Sequence, residues 1–169
     1  AALPRPRIAV VLGGKNAVYK FTDADDERLE GALRSLASLG ASFLVTPSRR
    51  THPRLIARVD QATRDAPRIL GTGGGANPYP DFLGKAEALV GTADSVNMTG
   101  EACATGKPVY VFHPSRGSDK FRRFHDALER SGATRPLPET LDQLPSWSYK
   151  PLDSAAAIAA EIERRWLRR

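Results

Sequence analysis

Five short stretches of this sequence set small residues beside cations, amides and hydroxyls: Gly13-Gly14-Lys15-Asn16, Ser48-Arg49-Arg50-Thr51, Gly73-Gly74-Gly75-Ala76-Asn77, Asp94-Ser95 and His113-Pro114-Ser115-Arg116. Small residues leave backbone N–H groups open to a ligand, and Lys and Arg add charge, Arg in a fork that matches an oxyanion. The chemistry is anion binding, and phosphate is the natural guest. A further pattern starts at Asp94, where Asp94, Asn97 and Glu101 recur at helical spacing on one stripe while Met98, Ala102 and Thr105 form a less polar one beside it. Ser95 and Thr99 then fall in a first helical turn, where unpaired N–H groups and the helix dipole favour an anion. Glu101, a turn and a half further on, is placed to accept hydrogen bonds from a ribose diol. Tyr79, in Asn77-Pro78-Tyr79, is available to pack on a base. Other chemistry is poorly served. Cys103 reads as a small core residue, His52, His113 and His125 lack the mutual spacing of metal ligands, and no residue stands out as a catalytic base.

These stretches share a position along the chain: each follows a short apolar run. Arg7 to Leu12 (RIAVVL) and Ser42 to Thr46 (SFLVT) read as buried strands. Arg68 to Leu70, Ala88 to Thr92 and Pro108 to Phe112 continue the series. Between them lie helical patterns at about 24 to 39, with Leu29, Leu33 and Leu36 in register, and from Pro53, with Leu55, Ile56, Val59 and Ala62. Others run through Phe82 and Leu83, at about 94 to 105, and through Phe121, Phe124 and Leu128. Strand and helix alternating in this way build a parallel sheet covered on both faces, a Rossmann-like three-layer α/β/α fold of class α/β. In such a sheet ligands bind beyond the carboxyl ends of the strands, where the five stretches fall. From Ala133 to Leu152 the chain carries four prolines and no period, which reads as an irregular crossover. A last helix at 153 to 168 has one apolar stripe, Ile158, Ile162 and Trp166. The division expected is a nucleotide-binding domain over 1–152 and a C-terminal helix over 153–169 that packs toward a separate N-terminal domain.

With 169 residues the chain buries roughly two-thirds of its unfolded surface on folding, enough for one core. Hydrophobic residues at 41% and charged residues at 26% are ordinary globular values, and no apolar run reaches the roughly 18 residues of a membrane span. A formal charge of +6 suits an anionic ligand, a phospholipid surface or nucleic acid alike, and Arg164, Arg165, Arg168 and Arg169 supply four of the charges far from the stretches above. A single cysteine needs no oxidising compartment, and the start shows no signal-peptide pattern, so the expected setting is cytoplasmic.

The segment Thr92 to Phe112, TADSVNMTGEACATGKPVYVF, resembles the nucleotide-binding core of the C-terminal domain of GT-B glycosyltransferases. Ser95, Glu101 and Gly106-Lys107-Pro108 take the places of its characteristic residues, and Gly13-Gly14 resembles its diphosphate loop. Taken with Ser48-Arg49-Arg50-Thr51, Asn77-Pro78-Tyr79 and Asp94-Ser95-Val96-Asn97-Met98, the chain resembles over residues 8 to 135 a family common in Gram-negative bacteria. That family is called mitochondrial fission or predicted nucleoside-diphosphate-sugar epimerase proteins. The resemblance implies a nucleoside diphosphate sugar as substrate, no separate cofactor and no metal. Gly13, Gly14 and Ser95 would hold the diphosphate, Arg49 would neutralise it and Glu101 would hold the ribose. Lys15, Ser48, Arg50, Thr51, Asn77, Asp94, Met98 and Thr99 complete the candidate set. The implied partners are the sugar-nucleotide donor and an N-terminal domain of the same protein, not nucleic acid, with room for peripheral membrane association. Such a half would bind donor and transfer nothing alone. The same resemblance carries an alternative, a non-catalytic recruiting protein that keeps the fold as a scaffold. A NAD-dependent epimerase fits less well, since there is neither a Gly-x-x-Gly-x-x-Gly after the first strand nor a Tyr-x-x-x-Lys pair.

Overall fold

The computed structural model describes residues 3–71 and 78–151. Its elements run β1 (Arg7–Val11), β2 (Tyr19–Lys20), α1 (Asp23–Ser38), β3 (Ser42–Thr46), α2 (Pro53–Thr63), β4 (Arg68–Leu70), α3 (Tyr79–Lys85), β5 (Ala88–Thr92), α4 (Val96–Cys103), β6 (Val109–Phe112), β7 (Ser115–Arg116), α5 (Asp119–Arg130) and β8 (Thr134–Pro136). Six strands form one parallel sheet in the order β4-β3-β1-β5-β6-β8. The chain winds outward from β1 in one direction and then from β5 in the other, the Rossmann order, and the reversal falls between β1 and β5.

The two-residue period of β1 explains the layers. Ile8 and Val10 point to one face, where they meet Leu29, Leu33 and Leu36 of α1 and Leu55 and Val59 of α2. Ala9 points to the other, where Phe82 of α3, Ala102 and Cys103 of α4, and Phe124 and Leu128 of α5 close the core. Both faces are covered, so the central strands are apolar throughout. The helix ends follow their sequence signals. Thr22 and Asp25 form a reciprocal capping box at the start of α1, and His52 caps α2 with Pro53 behind it. Ile56, expected on the apolar stripe of α2, is 39% exposed.

Two expectations change. The stretch from 133 onward is not irregular at its start, because Thr134–Pro136 is the sixth strand and lies parallel to β6 at the sheet edge. Three residues ending in proline show no period, and an edge is where a strand tolerates a residue without an N–H. The chain then folds back, with Leu137, Leu141, Leu144 and Trp147 packing on the α1 side of the core. The fourth helix starts at Val96 and ends at Cys103, later and earlier than the expected 94 and 105. A small antiparallel pair of β2 with β7, unmarked in the sequence, ties the loop after β1 to the loop after β6. The expected helix at 153 to 168, the domain division there and the glycines of 72–77 lie outside the described residues. Among the described residues no helix is long and apolar enough to cross a membrane.

Candidate functional site

The strand order reverses between β1 and β5, the point at which open α/β sheets form their ligand crevice, and the residues that follow these two strands are Gly13, Gly14, Asp94 and Ser95. The glycines serve close packing. A Cβ on Gly13 would lie 2.0 Å from Asp94 Oδ2, and one on Gly14 would lie 2.0 Å from the backbone oxygen of Arg50. Their amides are engaged as well, Gly13 N–H donating to Thr92 Oγ1 (2.9 Å) and Gly14 N–H to Asp94 Oδ2 (3.1 Å). Asp94 is therefore not on the helix stripe with Asn97 and Glu101. Its carboxylate is fully buried, sits before α4, and takes the place an anion would occupy. Arg50 donates to the same oxygen at 2.8 Å, so its charge is partly compensated. The reading of the Gly13 and Gly14 amides as diphosphate ligands is corrected on this point, since both already have acceptors within the chain.

The second predicted stretch holds this arrangement in place. Thr51 Oγ1 donates to the Gly13 carbonyl (2.8 Å) and accepts from the Ser48 amide (2.9 Å), with the Ser48 hydroxyl 3.0 Å away. Ser48 and Thr51 thus fix the glycine turn. Arg49 is exposed, with no ion-pair partner among the described residues, and Lys15 is exposed beside the crevice.

Donors remain free on α4. Its N-cap, Ser95, makes no side-chain capping bond, and the first amide to find an acceptor in the helix is Thr99 N–H, on the Ser95 carbonyl. The amides of Val96, Asn97 and Met98 meet no acceptor among the described residues, the condition in which a helix start attracts an anion. The Thr99 hydroxyl is buried and turned back onto the Ser95 carbonyl (2.8 Å), so it supports the turn from within. Glu101 is exposed, with its carboxylate beside the Tyr79 hydroxyl. Tyr79 is buried and its hydroxyl donates to the Met98 carbonyl (3.1 Å). Burial first, and then the Glu101 carboxylate beside it, push that phenol well above its usual range. Tyr79 therefore packs inside the protein and offers no face to a base. The apolar hollow it closes, with Leu89, Met98 and Ala102, measures about 10 Å³, room for no more than one water. Cys103 is buried, and burial pushes its thiol up to about 12.

The model of the family described as mitochondrial fission ELM1 matches residues 1–166. The chain belongs to the mitochondrial fission ELM1 family. A mitochondrial fission protein ELM1 of Arabidopsis thaliana is 34% identical over 166 residues, covering 97% of this chain and 39% of that protein. An uncharacterized protein of Rickettsia prowazekii (strain Madrid E) is 31% identical over 160 residues, covering 92% of this chain and 45% of its own length. The chain thus spans less than half the length of these two curated relatives. Among solved structures, the molybdenum cofactor binding protein of Rippkaea orientalis superposes with a TM-score of 0.56 at 12% identity, covering 98% of this chain and 99% of that one. That likeness shows the fold alone.

In this ELM1-family chain a second group of polar side chains gathers on the rim beside the crevice, beyond β6. The sequence marks only His113 to Arg116 there. The fold adds Tyr19 from β2 and Arg122, His125 and Asp126 from α5, and brings the His113 and His125 rings edge to face at 5.3 Å. Arg122, His125 and Asp126 are spaced so that successive turns of α5 present them to one side, a signal that exists in the sequence but means nothing until α5 is known to face the β6 loop. Asp25, buried in α1, accepts from the Ser115 amide (3.0 Å), the Ser115 hydroxyl (2.9 Å), the Thr22 amide (2.9 Å) and Arg28 (2.8 Å). Arg28 also donates to the His113 carbonyl at 3.0 Å. The loop is thereby held by α1 as well as by the β2–β7 pair. Asn77 lies outside the described residues. The remaining predicted residues cluster in and around one crevice, with Gly13, Gly14, Asp94, Arg50, Ser48 and Thr51 bonded into its floor and Lys15, Arg49 and Glu101 exposed near it.

Proposed function

We propose that this chain is the donor-nucleotide half of a GT-B-type sugar transferase and binds a nucleoside diphosphate sugar beside α4. The observation that carries the reading is the open first turn of α4, three amides without acceptors among the described residues, placed where the strand order reverses. The diphosphate takes the Val96, Asn97 and Met98 amides with the Ser95 hydroxyl, Lys15 and Arg49 add charge, and Glu101 accepts from the ribose hydroxyls. Backbone dipoles and cations stabilise a leaving diphosphate without a metal, and no other cofactor enters. The acceptor and the base come from an N-terminal domain of the same protein, in a cytoplasmic setting that leaves room for contact with a membrane surface. Nucleic acid is not a partner in this reading.

The test is calorimetry with UDP, ADP, GDP, CMP and NAD. Glu101→Ala is expected to weaken the preferred nucleoside diphosphate by about 1.5–3 kcal/mol, roughly tenfold to a hundredfold, the usual worth of hydrogen bonds to a charged group, and to leave inorganic pyrophosphate unchanged. Equal weakening of both ligands removes Glu101 from the ribose.

One observation favours a second reading, a non-catalytic recruiting protein that kept the fold as a scaffold: the buried Asp94 carboxylate fills the notch against Gly13 and spends the Gly14 amide. Asp94→Asn separates the two. In the nucleotide reading, loss of that negative charge beside α4 tightens nucleoside diphosphate binding. In the scaffold reading neither protein binds a nucleotide at millimolar concentration.

A further inference from the structure

The cavity beyond β6 has a volume of about 100 Å³, enough for several waters and so for a small polar molecule. Its lining is of two kinds. Arg116 and Arg122 bring positive charge, and the ion pair of Arg122 among the described residues is with Asp119, an exposed pair at 3.0 Å that a ligand displaces at little cost. His125 and Asp126 bring acceptors. The His125 ring is 1% exposed, and its Nε2 lies 2.7 Å from the Ala93 carbonyl, which can only accept, so the proton is on Nε2. Burial first, and the neighbouring His113, hold the imidazole neutral, its pKa lowered to about 4 against the opposing pulls of the Ala93 bond and the Asp126 carboxylate. Nδ1 therefore carries a bare lone pair, and no group among the described residues donates to it. A buried acceptor left without a donor is costly, and His125 is one of the residues that line the cavity.

The backbone points to the same place. Arg116 has φ of 69, in the left-handed region that residues with a Cβ rarely adopt, and it is kept there by pairing with Tyr19, by the Gly117 amide donating to the Val18 carbonyl (2.8 Å), and by the bonds of Ser115 to Asp25. Residues held in such conformations by their surroundings gather at ligand sites. Glycine would relieve the strain at this position, and arginine stands there instead.

We propose that this cavity is a second ligand site, distinct from the α4 crevice, that takes a small oxyanion bearing a hydroxyl group. The charge meets Arg116 and Arg122, and the hydroxyl donates to His125 Nδ1. A plain anion satisfies the arginines but leaves the imidazole unpaired and faces the Asp126 carboxylate. A neutral polyol does the reverse. Phosphate monoesters and hydroxy acids both carry the required pair of groups.

The inference goes beyond the nucleotide reading and does not depend on it. The experiment is titration of the whole chain with glycerol 3-phosphate, lactate, sulfate and glycerol, read by calorimetry and by the imidazole nitrogen resonances of His125. The expected result is that glycerol 3-phosphate or lactate binds at least tenfold more tightly than sulfate or glycerol and shifts His125 Nδ1. Which of the two binds tells a phosphate ester from a hydroxy acid. Arg116→Gly is expected to raise the melting temperature, since glycine adopts positive φ freely, and to weaken that binding at least tenfold. UDP is not expected to displace the probe. Sulfate binding as tightly as the best probe, an unmoved His125 resonance, or full affinity in Arg116→Gly each overturns the proposal, whatever the outcome with nucleotides at α4.

Discussion

Asp25→Ala is expected to destabilise the protein by about 3–5 kcal/mol, the range for removing one partner of a buried, hydrogen-bonded charge. Asp25 is 3% exposed and is bonded by two amides, a hydroxyl and a guanidinium drawn from α1, its cap and β7. Alanine leaves the Ser115 and Thr22 amides without acceptors and frees the loop that carries Arg116. The same residue makes the fold sensitive to acid. Burial alone would raise its pKa, but the Thr22 amide, Arg28 and Ser115 outweigh burial and hold the carboxyl at about 2 against an ordinary 3.8. The folded state thus favours the ionised form. A lowered folded pKa gives stability that is fully present above the unfolded value and is lost as the pH falls through the folded one, here between about pH 4 and pH 2. The separation is worth about 2 kcal/mol. Urea unfolding at pH 6, 4 and 3 measures it, and the loss of stability toward pH 3 should be smaller by part of that amount in Asp25→Ala. Equal acid sensitivity in the two proteins would show that Asp25 does not carry the effect.

Gly14→Ala is expected to cost about 3 kcal/mol or more, at the upper end of what overpacking does, because the added carbon would come within 2.0 Å of the backbone oxygen of Arg50. A long side chain could swing aside, but a carbonyl moves only with its chain. Displacing it pulls Arg50 from Asp94, and Thr51 from the Gly13 carbonyl. Gly84→Ala is the internal control, since Gly84 lies in α3 with nothing near its missing Cβ. That change should be neutral or stabilising by up to about 1 kcal/mol. Thermal unfolding of the two variants decides the role of Gly14. A loop kept flexible for a phosphate would show the opposite order, with stability retained in Gly14→Ala and ligand affinity lost.

Alternating apolar runs and helical periods determine the layers, and five of the six strands of the main sheet are legible in the sequence: four because buried parallel strands are largely apolar, and the edge strand β4 through Ile69 and Leu70, although both are exposed. β8 was not legible, since three residues with a terminal proline carry no period and their strand character comes only from lying against β6. The candidate stretches were legible for a similar reason. The rule that ligands meet the carboxyl ends of strands depends on topology alone, and alternation reveals the topology. Residue types and order therefore picked out residues that the fold brings to the carboxyl ends of β1, β3 and β5.

Which of those residues are free was decided only by the tertiary structure. Gly13, Gly14, Ser48 and Thr51 have the composition of an anion loop, yet their donors and acceptors are spent on Thr92, Asp94 and one another. The spacing puts Asp94 on a helix stripe with Glu101, yet Asp94 precedes the helix and is buried while Glu101 is exposed. His113 and His125, twelve positions apart with no ligand spacing, meet edge to face because α5 folds back across the loop after β6. The physical reason is the same in each case. A sequence states how many donors, acceptors and charges a segment has, but whether they are available depends on partners distant along the chain, such as Thr92 for Gly13 and Ala93 for His125, and these become neighbours only when the sheet closes.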